Sequence, residues 1–337
     1  MFNIKRFILS VLIFFIFIMN TGCSNNSSMD FENTEKVVDK EETIIHEDKK
    51  IVGGEETNDK DMDDKEKLAD IEETIDNKEK VVDGEDKINE KEEKLTDEDL
   101  SEYFVGYDGC FVLFNEDSGY TIYNRVKSKK QVSPCSTFKV ISSLIGLEAK
   151  VLEDENTTFR WNGKKYTIES WNKDQTLKSA VSNSVVWYFA NLASQIGEEK
   201  MQDYLDKLNY GNKDISGGLT KFWLQSSLKI SPMEQVDFLR RFYDYELPAS
   251  KENVDIVKEV ITLSDENGIK LSGKTGSGGS SANNKYVNGW FVGYVEKDNN
   301  VFIFATNIEA NDSSDKSAGG QQAKEITLKI LKDKNLL

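Results

Sequence analysis

Acidic residues are concentrated in one stretch of this 337-residue chain, and this limits how much of it can build a core. Residues 29–100 contain 29 Asp or Glu and 12 Lys or Arg, a net charge of −17, which equals that of the whole chain. Between residues 24 and 100 there is no proline, and Phe31 is the only aromatic residue. Such a segment buries too little apolar surface to offset its conformational entropy. We predict that residues 24–100 form a disordered tether, with a spacer role favoured over a specific binding role.

The first 23 residues have the pattern of an export signal. Two basic residues precede an apolar run from Phe7 to Met19, which is short for a membrane span. Gly22-Cys23 follows and resembles the lipobox of bacterial lipoproteins, whose cysteine is lipidated. We therefore predict a signal peptide over 1–23, lipidation of Cys23 and a membrane-anchored position at the bacterial cell surface. An ordinary signal peptide and an uncleaved anchor are the alternatives.

Residues 101–337 have the composition of a folded domain. Apolar residues alternate and then run together from Phe104, and an Asp-Ser-Gly turn precedes Tyr120–Tyr123, which predicts a β-hairpin. A helix from Ser136 to Ala149 is apolar on nearly every side and is therefore predicted to be buried. Strands are predicted near 269–271, 287–295 and 301–307, helices over much of 150–255, and a last helix over 318–331. This order indicates an α+β fold: an antiparallel sheet flanked by helices, plus a mainly helical region.

Histidine is nearly absent, which excludes several kinds of site. The only one, His46, lies within the predicted tether. A Ser–His–Asp triad and a histidine-based zinc site are therefore excluded from residues 101–337, and no metal is expected there. The same residues carry a net charge of −2, which does not favour a nucleic-acid partner, and no feature indicates an obligate protein partner.

Two further cysteines lie in the predicted domain. Cys110 and Cys135 could form a disulfide in an exported protein or remain as buried thiols. The spacing does not decide between these, because a disulfide depends on the separation and direction of the Cβ atoms.

A serine and a lysine stand one turn apart at the start of the buried helix. Ser136 follows Pro134 and Cys135, so its hydroxyl is predicted near the positive end of the helix dipole. Lys139, three residues later, lies on the same helix face. A lysine among apolar side chains loses hydration, which favours its neutral, proton-accepting form. The pair is a candidate nucleophile and base, with an N-cap serine and a solvent-directed lysine as the alternative.

A glycine-flanked strand near the C-terminus contains Lys274-Thr275-Gly276-Ser277. Its glycines allow the close approach of a ligand, while Lys274 and Thr275 offer charge and hydrogen bonds to a carboxylate. Taken alone, this segment is more typical of a glycine-rich turn.

Together these segments resemble the serine penicillin-recognising enzymes, which share Ser-x-x-Lys and Lys-Thr-Gly in this order. Four further motifs resemble the class D (OXA-type) β-lactamases of that superfamily. They are Ser184-Val185-Val186, Tyr210-Gly211-Asn212, Phe222-Trp223-Leu224 and Gly289–Tyr294. The resemblance covers 101–337 and implies the serine β-lactamase/transpeptidase-like fold and a β-lactam as substrate.

The resemblance also implies a mechanism. Ser136 would form the acyl-enzyme, and Lys139, carboxylated by CO₂ to N6-carboxylysine, would be the general base. No cofactor beyond CO₂ or bicarbonate is implied. Ser184 would relay a proton, and Trp223 would donate a hydrogen bond to the carboxylated lysine. Substrate binding would fall to Lys274, Thr275, Gly276 and Ser277, with the backbone N–H groups of Ser136 and Ser277 as the oxyanion hole, while Val186, Tyr210 and Asn212 would shape the site.

One departure from the pattern concerns the substrate carboxylate, which class D enzymes often bind through an arginine beyond Lys-Thr-Gly. No arginine follows Arg241 here, so Lys274, nearby hydroxyls or Lys324 would substitute. Hydrolysis of β-lactams, giving resistance, is the predicted function. A penicillin-sensing domain or a D,D-peptidase, either of which deacylates slowly, is the alternative.

Overall fold

A seven-stranded sheet forms the centre of the folded part, seen in a computed structural model that describes residues 94–280, 285–310 and 316–337. The strands are β1 (Leu95–Asp97), β2 (Tyr107–Asn115), β3 (Gly119–Tyr123), β4 (Thr158–Phe159), β5 (Gln175–Thr176), β6 (Thr262–Glu266), β7 (Ile269–Ser280), β8 (Lys285–Lys297) and β9 (Asn300–Ala310). The helices are α1 (Arg125–Ser128), α2 (Phe138–Glu148), α3 (Leu177–Ser182), α4 (Val186–Ile196), α5 (Glu198–Leu208), α6 (Pro232–Tyr243), α7 (Lys251–Val260) and α8 (Gly320–Asp333).

The main sheet has the strand order β1-β3-β2-β9-β8-β7-β6. All neighbouring strands in it are antiparallel except β1, which pairs in parallel with β3. Helices cover both faces, so the predicted α+β architecture is confirmed. The predicted C-terminal strands correspond to β7, β8 and β9, each longer than the pattern indicated, and the predicted last helix corresponds to α8, which begins and ends two residues later.

The folded part begins before residue 101. Strand β1 pairs residue by residue with Tyr120–Ile122, and Leu100 is buried. The last residues of the predicted tether therefore belong to the sheet. Local periodicity did not reveal this because an acidic three-residue edge strand is stabilised by a partner more than 20 positions away. The predicted signal peptide, Cys23, His46 and the rest of the tether lie outside the described residues.

The predicted β-hairpin is present as β2 and β3. Its turn is held by the Asn115 side chain, whose Oδ1 accepts hydrogen bonds from the backbone N–H groups of Asp117 and Ser118. The strand starts later than predicted, because Ser101–Phe104 forms a 3₁₀ turn and Gly106 then adopts a φ of +90°. Such a φ is readily available only to glycine.

The sheet separates two apolar cores, because neighbouring residues on a strand face opposite sides. Trp290 and Val292 of β8 lie in the larger core together with α2, whereas Phe291 packs in the smaller core with α8. This alternation places α2 on one face of β7 and β8 and α8 on the other.

Residues 150–260 contain the helices α3 to α7, in agreement with the prediction, and also the short β4–β5 pair, which was not predicted. Within the described ranges, no helix is long and apolar enough to cross a bilayer. Cys110 and Cys135 are both buried and are not joined by a disulfide, which resolves the choice left open by the sequence in favour of two buried thiols. Burial raises the pKa of the Cys110 thiol to about 12, so it is unreactive at neutral pH.

Candidate active site

The Ser136 hydroxyl and the Lys139 amine are in direct contact. A 3₁₀ turn, Cys135–Thr137, precedes α2, so the predicted helix starts with a tighter turn than an α-helix has. Lys139 Nζ lies 2.6 Å from Ser136 Oγ, and Lys139 is completely buried. A serine proton and an amine nitrogen at this distance can exchange the proton directly.

Ser184 completes a group of three polar side chains. Its Oγ lies 3.2 Å from Lys139 Nζ, although the two residues are 45 positions apart. Ser184 occupies the turn between α3 and α4 with a φ of 53°, an uncommon conformation for a residue other than glycine. Val186, predicted to shape the site, is buried in the first turn of α4. The ring of Phe189 on the same helix lies 5.6 Å from the Lys139 ammonium position.

Trp223 lies beside the nucleophile helix. Its ring stacks on Phe138, with centroids 5.3 Å apart and an interplanar angle of 20°. The side chain is completely buried, and its Nε1 has no hydrogen-bond partner among the described residues. A buried indole N–H normally has an acceptor, so this donor is available to a group that the protein atoms do not supply.

Strand β7 brings Lys274-Thr275-Gly276 against the nucleophile turn. A Cβ on Gly276 would lie 2.8 Å from the carbonyl oxygen of Pro134 and 3.2 Å from the backbone nitrogen of Thr137, so only glycine permits this approach. Lys274 is buried, and its Nζ donates hydrogen bonds to the carbonyl oxygen of Thr275 (3.1 Å) and to its hydroxyl (3.4 Å). A positive charge thus stands at the strand bordering Ser136.

The side chain of Ser277 has a structural contact. Its Oγ accepts a hydrogen bond of 2.9 Å from the backbone N–H of Gly320, the first residue of α8. Its hydroxyl therefore fastens the last helix to β7, which leaves its backbone as the part predicted to contact substrate. Lys324, further along α8, lies 6.0 Å from the ring of Phe291, a residue of the smaller core.

Tyr210 supports the nucleophile turn through a third residue. Its hydroxyl lies 3.5 Å from Gln235 Oε1, and Gln235 Nε2 donates to the hydroxyl of Thr137 at 2.9 Å. Burial raises the pKa of Tyr210, so the phenol stays neutral. Asn212 is exposed, and its amide holds the backbone at Ser227 and Lys229, in the loop that also carries Trp223. Tyr210 thus supports the turn that carries Ser136, and Asn212 supports the loop that carries Trp223.

Sequence reasoning missed two side chains that hold the nucleophile turn. Asn288 Nδ2 and Trp290 Nε1, both on β8, each donate a 2.9 Å hydrogen bond to the carbonyl oxygen of Ser133. Ser133 in turn contacts the Trp223 loop through its hydroxyl. Trp290 lies in the Gly289–Tyr294 motif, but no local pattern indicates what it or Asn288 contacts, because each contact joins positions at least 90 residues apart. Within the described ranges, no group of three or more His, Cys, Asp or Glu is placed to hold a metal ion.

Comparison with known proteins places this geometry in a family. Residues 109–332 match the penicillin binding protein transpeptidase domain. The regulatory protein BlaR1 of Bacillus licheniformis is 43% identical over 242 residues, which are 71% of this chain and 39% of that protein. The probable β-lactamase YbxI of Bacillus subtilis is 42% identical over 239 residues, 71% of this chain and 85% of that protein.

A solved structure agrees with these relatives. The class D β-lactamase BAT-2 superposes with a TM-score of 0.66 at 42% identity, covering 71% of this chain and 96% of that one. The matched region contains the motifs that bring Ser136, Lys139, Ser184 and Lys274 together. The chain therefore belongs to the penicillin-binding transpeptidase family of serine enzymes and, within it, to the class D β-lactamase group that also includes the BlaR1 sensors.

Proposed function

We propose that this chain hydrolyses β-lactam antibiotics through an acyl-enzyme at Ser136 and thereby gives resistance to them. The observation that carries the proposal is the 2.6 Å contact between Ser136 Oγ and Lys139 Nζ in a buried setting. A serine hydroxyl is a weak nucleophile until a neighbouring base removes its proton. Lys139 is the group placed to do so.

Each neighbouring residue has a role that its position supports. Ser136 attacks the lactam carbonyl, and the backbone N–H groups of Ser136 and Ser277 stabilise the oxyanion, with roughly 3–4 kcal/mol per donor as a typical contribution. Ser184, in contact with Lys139, passes a proton to the lactam nitrogen. Lys274 and Thr275 bind the substrate carboxylate by charge and hydrogen bonding.

We further propose that Lys139 is carboxylated on Nζ by CO₂. The residues around it fit such a group, because the buried Nε1 of Trp223 has no acceptor among the described residues and stacking on Phe138 fixes the ring. Only a neutral amine reacts with CO₂, and burial of Lys139 favours that form. A carboxylate on Nζ supplies an oxygen base for both acylation and deacylation.

Turnover of a chromogenic cephalosporin by the purified full-length protein, with and without bicarbonate, tests the proposal. We expect many turnovers per protein and a higher rate with bicarbonate, together with a carbamate signal in ¹³C NMR. Lys139→Ala, assayed beside it, should have no such signal. Bicarbonate-independent turnover without a carbamate signal would contradict the carboxylated base but leave hydrolysis standing.

Penicillin sensing is the second candidate, because the regulatory protein BlaR1 is 43% identical over the matched region. A sensor or a D,D-peptidase would be acylated at Ser136 and would release the product very slowly. Mass spectrometry of the protein after one equivalent of penicillin distinguishes these functions. A long-lived adduct without turnover would favour sensing or peptidase activity over hydrolysis.

We also propose that the protein is exported and anchored at the cell surface through a lipid on Cys23. The proposal rests on the apolar run and the Gly22-Cys23 pair that follows it. Metabolic labelling with palmitate should mark the wild-type protein in the membrane fraction and should not mark Cys23→Ala. Equal labelling of both would contradict lipidation at this residue.

A further inference from the structure

Ser133 lies three residues before the nucleophile and connects three parts of the molecule. It is buried, and it forms four hydrogen bonds, each 2.8–2.9 Å long. Its carbonyl oxygen accepts from Asn288 and Trp290 of β8. The turn that carries Ser136 is thereby fastened to the central sheet.

The hydroxyl of Ser133 serves a different segment, the loop around Trp223. It donates to the carbonyl oxygen of Trp223 at 2.8 Å and accepts from the backbone N–H of Gln225 at 2.9 Å. One oxygen thus holds the backbone on both sides of Leu224. Gln225 has a φ of 45°, a conformation that an ordinary residue keeps only when its surroundings hold it.

Backbone hydrogen bonds from Phe222 N–H to Gly218 O and from Leu224 N–H to Lys221 O, both 2.9 Å long, flank Trp223, while the carbonyl oxygen of Trp223 itself accepts from Ser133. Trp223 lies outside any helix or strand, in a run of turns from Leu219 to Ser227. Stacking on Phe138 and an edge contact with Phe222, with ring centroids 5.0 Å apart, enclose the buried indole. The direction of the Nε1–H bond depends on where the backbone of Trp223 is held, and Ser133 holds that backbone at its carbonyl oxygen.

We infer that Ser133 is a positioning residue that aims the Trp223 indole N–H at the carboxylated side chain of Lys139 and so sets how readily that carboxylate persists. The inference rests on the proposed function. Ser133 acts through Trp223 and does not touch the reacting atoms, so its removal should change the affinity for CO₂ more than the chemistry at saturating bicarbonate.

Titration of Ser133→Ala with ¹³C-bicarbonate, followed by the carbamate signal in ¹³C NMR, tests this. The bicarbonate concentration for half-maximal signal should rise about tenfold, the factor that corresponds to about 1.4 kcal/mol. Acylation of Ser136 at saturating bicarbonate should return to within about threefold of wild type. Ser133→Cys, which keeps the volume but is a weak donor, should shift in the same direction by less.

Ser128→Ala is the matched control, because Ser128 is also completely buried but its hydroxyl donates to Arg125 within its own turn. It should titrate like wild type. An unchanged half-saturation concentration in both Ser133 variants would overturn the inference while leaving hydrolysis intact. Activity that saturating bicarbonate does not restore would also overturn it, since Ser133 would then act on the nucleophile turn. Absence of a carbamate signal in wild type would contradict the proposed base and the inference together.

Discussion

Two buried lysines, Lys139 in the active site and Lys127 on the short helix α1, have opposite surroundings. Lys139 is 0% exposed, and its amine contacts the hydroxyls of Ser136 and Ser184. Lys127 is 4% exposed, and its amine contacts the carboxylates of Asp108 (3.0 Å) and Glu309. The two lysines are therefore similarly buried, but one amine contacts hydroxyls and the other contacts carboxylates.

The difference shows that partners, not burial alone, decide what a buried lysine does. The Lys127 amine pairs with the carboxylates of Asp108 and Glu309 and so joins α1 to β2 and β9. Burial by itself raises the pKa of Glu309, but hydrogen bonds and charges from Lys127 and Lys130 outweigh it and hold that pKa below its ordinary value. Hydroxyls supply no opposing charge, so Lys139 can exchange a proton with its neighbour.

The largest effect is expected when the active-site lysine is removed. Lys139→Ala should lower kcat/KM for a chromogenic cephalosporin by at least about ten-thousandfold, because loss of a base that acts together with its nucleophile removes most of the catalysis. Lys127→Met, assayed per mole of folded protein, should retain activity within about threefold. A comparable loss of kcat/KM in both variants would contradict the difference in role between the two lysines.

A smaller effect, on stability, is expected at the other lysine. Lys127→Met should lower the free energy of unfolding by about 1–3 kcal/mol, because it leaves Glu309 without its buried partner. Lys130 contacts the same Glu309 oxygen at 2.8 Å but is 55% exposed, so Lys130→Met is a matched control that should cost less than about 1 kcal/mol. Urea unfolding of both variants makes the measurement. Equal destabilisation of Lys127→Met and Lys130→Met would mean that burial of Lys127 does not strengthen its ion pair with Glu309.

The smallest effect is the pH dependence of that stabilisation. The folded pKa of Glu309 lies below its ordinary value of 4.5, so its ionised form stabilises the fold fully above pH 4.5. The contribution is lost as the pH falls through the lowered pKa. The difference in unfolding free energy between wild type and Glu309→Gln should therefore be constant at neutral pH and shrink in acid. A difference that grows in acid would have the wrong sign and contradict the pairing.

Much of the active site could be predicted because its chemistry is encoded in short segments. Ser136 and Lys139 are three positions apart, and a helical turn brings such residues together whatever the rest of the chain does. The glycine at 276 likewise indicated a close approach, which the carbonyl oxygen of Pro134 makes. Extra strands such as β1 and β6 were missed because polar edge strands have no local apolar period.

By itself, the sequence excluded a histidine-based site from the folded part: its one histidine lies in the acidic stretch, which leaves Lys139 as the candidate base next to Ser136. It also determined where the acidic charge is concentrated and which helix is buried. Only the tertiary structure decided which buried lysine meets carboxylates and which meets hydroxyls, because Lys127 and Glu309 are 182 positions apart. The same holds for Ser133, whose hydroxyl contacts Trp223 across 90 positions. Contacts between distant segments depend on how whole helices and strands pack, and the local spacing of residues does not predict that packing.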